Sequence, residues 1–190
     1  MSVLSLISGG IDSPVATFLM LKKGVRTHIL HFYRDEEDLK KLREVLDILK
    51  NQGNLGRIFV AEHSKLFVRN FGRYNCIYCK ILMVKVAEKL CKKAGGSAIV
   101  MGDNLGQVAS QTLDNMLAIS KATKIPIIRP LIGFDKEEII EIAKKIGIYE
   151  ISIKSQRRCP FLPKNPITKA KIEKIDYNIE VDLDVKELNL

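Results

Sequence analysis

An α/β fold with a doubly wound, mainly parallel sheet is what this sequence predicts. Three observations carry the prediction. Short β-branched runs alternate with amphipathic helical stretches, the pattern of a parallel sheet covered by helices on both faces. A glycine pair sits in the turn between the first strand and the first helix. No internal repeat, low-complexity tract or compositional break divides the 190 residues, a length that suits one domain with a proper core.

The elements follow in order. The first strand is Val3–Ile7. After it come Ser8-Gly9-Gly10-Ile11-Asp12-Ser13 and Pro14, whose missing N–H suits a first helical turn, and then a helix over Val15–Lys23. The second strand is Thr27–Phe32. Leu39, Leu42, Leu46 and Leu49 then recur at helical spacing, and Arg57–Ala61 is the third strand. Met83, Ala87, Leu90 and Ala94 mark another helix, with Cys91 on its apolar face as a small buried residue. Strands four and five are Ala98–Met101 and Pro126–Arg129. Ile139, Ile142, Ala143 and Ile146 form a helix that Asp135 caps and Gly147 closes. Right-handed crossovers place the ligand site at the carboxyl ends of these strands.

Two segments break the rhythm. From Lys154 to Lys174 the chain carries seven basic residues (Lys154, Arg157, Arg158, Lys164, Lys169, Lys171, Lys174) against Glu173 alone. Cys159 and three of the six prolines also lie there, so its first part reads as a basic loop. Beyond it, Tyr177, Ile179, Val181, Leu183 and Val185 alternate strictly with polar residues, which predicts a half-buried strand. It is either an edge strand of the same molecule or a strand pairing with a second copy in a homodimer. Residues 1–175 are thus expected to form the domain and 176–190 an acidic C-terminal strand, net −4 on a chain of net +9.

Composition narrows the function classes. At 46% hydrophobic and 28% charged, the chain is neither a disordered nor a fibrous protein. No apolar run approaches the roughly 18 residues of a membrane span, and the N-terminus lacks the basic and apolar regions of a secretory signal. A cytoplasmic protein is expected, one whose four cysteines serve as metal ligands or reactive thiols instead of a disulfide framework. The +9 charge suits an anionic partner such as a nucleotide or RNA.

The chemistry starts in the first loop. Gly9 and Gly10 let the chain turn tightly and bring backbone N–H groups close to an oxyanion. The helix N-terminus adds donors and a positive dipole end, and the Ser8 and Ser13 hydroxyls add two more. Asp12 beside phosphate calls for a Mg2+ ion or a reacting group to orient. The spacing is not that of a Walker A loop.

Ser8–Ser13 resembles the PP-loop, the SGGxDS pyrophosphate-binding motif of ATP pyrophosphatases, whose sheet is of the adenine nucleotide alpha hydrolase type. Those enzymes split ATP between its α and β phosphates, adenylate an acceptor oxygen and displace the adenylate with sulfur or nitrogen. Further residues select a branch: Met101-Gly102-Asp103-Asn104-Leu105-Gly106-Gln107-Val108-Ala109-Ser110-Gln111-Thr112 after strand four, Arg129-Pro130-Leu131-Ile132-Gly133-Phe134-Asp135-Lys136 after strand five, Gly147–Ser152, and Cys159. From Val3 to Lys174 the chain is similar to the ThiI family, the tRNA 4-uridine sulfurtransferases. The resemblance implies ATP bound on Ser8, Gly9, Gly10, Ile11, Asp12 and Ser13. It also implies that Gly102, Gly106 and Gln107 face the nucleotide, the last two at a second helix N-terminus where Gln107 and Gln111 alternatively cap or solvate the helix. Asp12 and Lys136 are implied as catalytic, Lys136 beside the α-phosphate as pyrophosphate leaves.

Cys76-Ile77-Tyr78-Cys79 precedes a helix, and Cys159 matches the family's catalytic cysteine. Bacterial members pass sulfur from a persulfide on a rhodanese domain, which this sequence does not contain. The CxxC pair with Cys159 resembles the methanogen type, implying that Cys76, Cys79 and Cys159 hold a 4Fe–4S or 3Fe–4S cluster. Basic Lys80, Arg157 and Arg158 favour thiolates there, and no His lies near these cysteines in sequence to complete a zinc site. A Cys76–Cys79 redox pair and a persulfide on Cys159 are the other readings. His28, His31 and His63 read as packing or solvated residues. Family members carry a THUMP module before the PP-loop domain. With the first strand at Val3, tRNA is expected to bind the basic face of Arg69, Arg73 and Lys154–Lys174 or to be presented by a separate THUMP protein. The expected function is ATP-dependent sulfur transfer to tRNA, with sulfide or a persulfide carrier as donor. The alternatives are a PP-loop amidating or ligating enzyme and a non-catalytic nucleotide- or RNA-binding subunit.

Overall fold

A computed structural model describes residues 1–67, 69–154 and 158–189. Six strands form one sheet: β1 (Ser2–Ile7), β2 (Arg26–Tyr33), β3 (Leu55–Glu62), β4 (Ile99–Met101), β5 (Ile127–Ile128) and β6 (Lys186–Leu188). Their spatial order is β5-β4-β1-β2-β3-β6, parallel throughout except for the antiparallel β6. The helices are α1 (Asp12–Lys22), α2 (Glu36–Leu49), α3 (Asn75–Lys93), α4 (Leu113–Ser120), α5 (Lys136–Lys145) and α6 (Tyr149–Ile153).

β1 shows why two helix layers form. Its residues alternate between faces, and almost all are buried, as parallel strands covered on both sides require. Leu4 and Leu6 pack with Ile77, Ile81 and Ile99 against α3. Val3 packs with Val15, Ala16 and Ile139 of α1 and α5, and Ile7 with Leu42 and Leu46 of α2. Chain order reverses on either side of β1, between β4 and β2, so the carboxyl end of β1 opens onto the crevice where such sheets bind ligands. The Asp135 side chain accepts from Glu138 N and Glu138 returns the bond, a reciprocal box that fixes where α5 and Lys136 begin. Gly147, at φ +80°, closes that helix.

Three local readings change. Cys76 and Cys79 do not precede a helix; they lie in the first turns of α3, which starts at Asn75. No helix opens at Gly106: this residue turns the chain at φ +77°, and α4 starts at Leu113 behind Thr112, whose hydroxyl accepts from Asn115 N. Among the described residues the alternating tail forms a ladder only at Lys186–Leu188, beside Ile58–Val60 of β3. Before that it crosses α3, where the Lys85 ammonium donates to the carbonyls of Tyr177 and Ile179, and Val181 is buried on the core. Alternation there reports an extended chain with one face on a helix. Among the described residues no helix is long and apolar enough to cross a membrane.

Candidate active site

The loop after β1 is tied by its own serines. Ser8 N donates to Ser13 Oγ at 2.7 Å, the two hydroxyls bond at 2.9 Å, and Gly10 N donates to Ser8 Oγ at 3.3 Å. One hydroxyl proton is spent between Ser8 and Ser13, so at most one remains for a ligand, where two were expected. Ile11 precedes α1 without a side-chain cap, which leaves the helix's first amides for an anion. Neither Gly9 nor Gly10 has a positive φ, and a Cβ on either would meet only ordinary contacts. Their contribution is bare backbone that an oxyanion can approach, and not an unusual turn. Gly102 differs: a Cβ there would lie 2.5 Å from Ser13 Cα and 2.6 Å from Ser13 N. β4's exit is thus pressed directly against the loop.

Lys136 comes to the same place from 124 residues further along the chain. Its Nζ lies 2.5 Å from Asp12 Oδ1, and both side chains are partly exposed. A carboxylate here suits the hard Mg2+ ion, with one of its oxygens already shared with the lysine.

A cavity of about 310 Å³ opens beside the loop, lined by Ser8, Asp12 and Ser13 and by Lys80, Gly102 and Asp103, among others. Asp103 is buried between two cations, with Lys80 Nζ at 2.7 Å and Arg129 Nε at 3.0 Å. Burial alone would raise its carboxyl; the charges and hydrogen bonds of Lys80 and Arg129 outweigh burial and hold it below the usual range. Val108, Ser110 and Gln111 line this cavity, whereas Gly106 and Gln107 are exposed and do not.

A second cavity, of about 350 Å³, lies across the loop glycines. Gly9 and Gly10 form one wall, with His31, Arg34, Lys41, His63 and Cys159 around them. His31 Nδ1 lies 2.9 Å from Ile7 O; burial lowers its pKa, so Nδ1 donates in the neutral ring, and among the described residues Nε2 has no partner. His28 Nδ1 accepts from Arg57 N, the packing role expected of it.

The thiols converge more loosely. Burial pushes the Cys79 thiol up to about 12 and raises that of Cys76, and the charge of Cys159 raises both further. Lys80 opposes this weakly while engaged with Asp103, so the basic neighbours do not make these cysteines thiolates. Arg157 lies outside the described residues, and Arg158 and Cys159 are exposed. His63, far away in sequence, sits with Nε2 3.4 Å from Cys79 Sγ, so an imidazole does stand beside the cysteines. Three free thiols in one neighbourhood fit the donor chemistry of an iron–sulfur cluster with one open iron. They are not drawn together: among the described residues no group of three His, Cys, Asp or Glu is placed to hold a metal ion.

The family model described as "Thiamine biosynthesis protein (ThiI)" matches residues 1–183. A probable tRNA sulfurtransferase of Thermococcus kodakarensis is 46% identical over 180 residues, spanning 90% of this chain and 47% of that protein. One from Methanocaldococcus jannaschii is 48% identical, spanning 91% and 48%. Among solved structures, a 4-thiouridine synthetase–RNA complex with bound ATP is similar at TM-score 0.83 and 39% identity, over 90% of this chain and 48% of that one. The NMN synthetase of Francisella tularensis shares the fold at TM-score 0.57 and 16% identity, over 87% of this chain and 69% of that one. The chain spans about half the length of the curated relatives it matches.

Proposed function

We propose, from the premise that this chain belongs to the ThiI family, that it uses ATP to replace an oxygen of a tRNA uridine with sulfur, giving 4-thiouridine. The observation that carries the reading is that Cys159 and the loop glycines Gly9 and Gly10 line one cavity. Sulfur held at Cys159 and phosphate held on the loop would thus share one cavity, which supports displacement of an adenylate by sulfur.

ATP binds with its phosphates on the amides of the Ser8–Ser13 loop and the start of α1. Asp12 would hold Mg2+, which neutralises phosphate charge when bound. The uridine O4 attacks the α-phosphorus and pyrophosphate leaves, with Lys136 beside the charge that develops. Hydrosulfide then forms a bond to C4, and the C4–O4 bond breaks as O4 departs on AMP. Carbon keeps its oxidation state. Cys76, Cys79 and Cys159 would hold an iron–sulfur cluster, which would supply an iron site for sulfide. A tRNA acceptor places the reaction in the cytoplasm, with a THUMP-type module or protein as tRNA carrier.

The test is nucleoside mass analysis of unmodified tRNA treated anaerobically with this protein, ATP, Mg2+ and sulfide. The reading expects 4-thiouridine that depends on ATP and on Cys159. AMP formation with no thiolated nucleoside would move the acceptor to another molecule.

A further inference from the structure

We infer that a third cleft, formed by the segments that lead into Cys76 and out of Cys159, binds one nucleotide of single-stranded RNA next to the reacting uridine. This rests on the sulfurtransferase reading and specifies how that site takes its substrate. The cleft has a volume of about 710 Å³ and is lined by Phe67, by residues within 69–75 and by residues 160–165. Its size is ample for a nucleotide.

Flat rings form one part of its lining. Phe67 and Phe161 stack at 4.0 Å with planes 14° apart, and His63 meets both at 5.6 and 5.7 Å. The two phenylalanines are half-buried and line the opening. Three exposed cations, Arg69, Arg73 and Lys164, stand in the lining, no acid is among the described lining residues, and Arg69 also meets Asp176 at 3.8 Å. Aromatic faces beside guanidinium and ammonium groups suit a base with its phosphate.

The cleft is tied together. Arg73 Nε donates to Asn165 O at 3.0 Å, Ile167 N to Arg73 O at 3.1 Å, and the buried Asn75 donates to Phe161 O at 3.1 Å. Asn75 directly precedes Cys76, and Cys159 directly precedes Pro160. Both segments that form the cleft therefore run straight into the proposed sulfur site, and His63 touches both cleft rings and Cys79. The Ser8–Ser13 loop lines the other two cavities and none of its residues lines this cleft, so the nucleotide held here belongs to the acceptor strand.

The test uses labelled single-stranded oligouridine, with anisotropy for its affinity across a salt series and calorimetry for ATP. Arg69→Ala/Lys164→Ala removes two exposed charges and should make the salt slope shallower by about 1.4. Phe161→Leu keeps apolar volume but loses the stacking face and should weaken oligouridine about tenfold. ATP affinity should be unchanged in both. Unaltered RNA affinity and slope in both variants, no oligouridine binding by the unmodified chain, or equal competition by an acidic peptide would each overturn the inference. Failure of the chain to bind ATP at all would instead strike at the proposed function, which keeps the two failures distinct.

Discussion

Lys136 reaches across the fold to Asp12, its Nζ 2.5 Å from the carboxylate Oδ1 although 124 residues separate them in sequence. Two segments far apart in sequence thus converge on the edge of the Ser8–Ser13 loop. The pair is partly exposed, so its contribution to stability is at most about 1 kcal/mol. Its importance should show in rate. Lys136→Ala is expected to slow AMP formation by about 10² or more in single-turnover experiments, leaving ATP affinity within a few-fold and unfolding nearly unchanged. A large loss of stability without a loss of rate would make the pair structural.

Asp103 is the opposite case. Buried between Lys80 and Arg129, it compensates two cations at the cavity beside the Ser8–Ser13 loop. Asp103→Asn leaves both without a counter-charge and should cost about 3–5 kcal/mol in urea unfolding. Because its folded pKa is depressed, its contribution is complete above the ordinary aspartate value and is lost as pH falls below about 4 towards the folded value. The variant should lack this part of the acid loss.

Gly102→Ala should act on the phosphate loop without touching a charged group. The added methyl falls within 2.6 Å of Ser13 N, backbone that cannot swing aside. Overpacking of about 1–3 kcal/mol is expected, together with a clear loss of ATP affinity in calorimetry as the loop is displaced. Normal ATP binding would show the contact to be slack.

The buried histidines set a second pH dependence. Burial lowers the pKa of His31; burial, then Arg26 and Arg57, lowers that of His28. The unfolded chain takes up protons near pH 6.5 that the folded chain refuses, so stability is full above that pH and declines as pH falls through it. The urea midpoint should drop between pH 7.5 and 5.5. His31→Asn, which retains a donor for Ile7 O, should reduce that drop; a midpoint that rises on acidification would contradict the sign.

What the sequence reveals of this site depends on distance along the chain. The Ser8–Ser13 loop and the Asp135 cap are local patterns and were legible as such. Gly102 was legible through its motif, although its steric reason, the approach of Ser13, needed the fold. The Lys80–Asp103–Arg129 cluster and the His63–Cys79 contact join residues 16 to 26 positions apart on different elements, and no spacing rule connects them. A charged residue directly after Gly102 at the carboxyl end of β4 was the available signal for Asp103. Thr112 before Leu113, an ordinary N-cap, marked the true start of α4 better than Gly106 did. The tail misled because one-sided burial gives the same alternation against a helix as in a ladder.

Product analysis of ATP turnover bears most directly on the whole account. With acceptor RNA and sulfide present, radiolabelled ATP should yield AMP and pyrophosphate in equal amounts. Formation of ADP and inorganic phosphate in their place would mean attack at the γ-phosphorus, which contradicts the role assigned to the Ser8–Ser13 loop, Asp12 and Lys136.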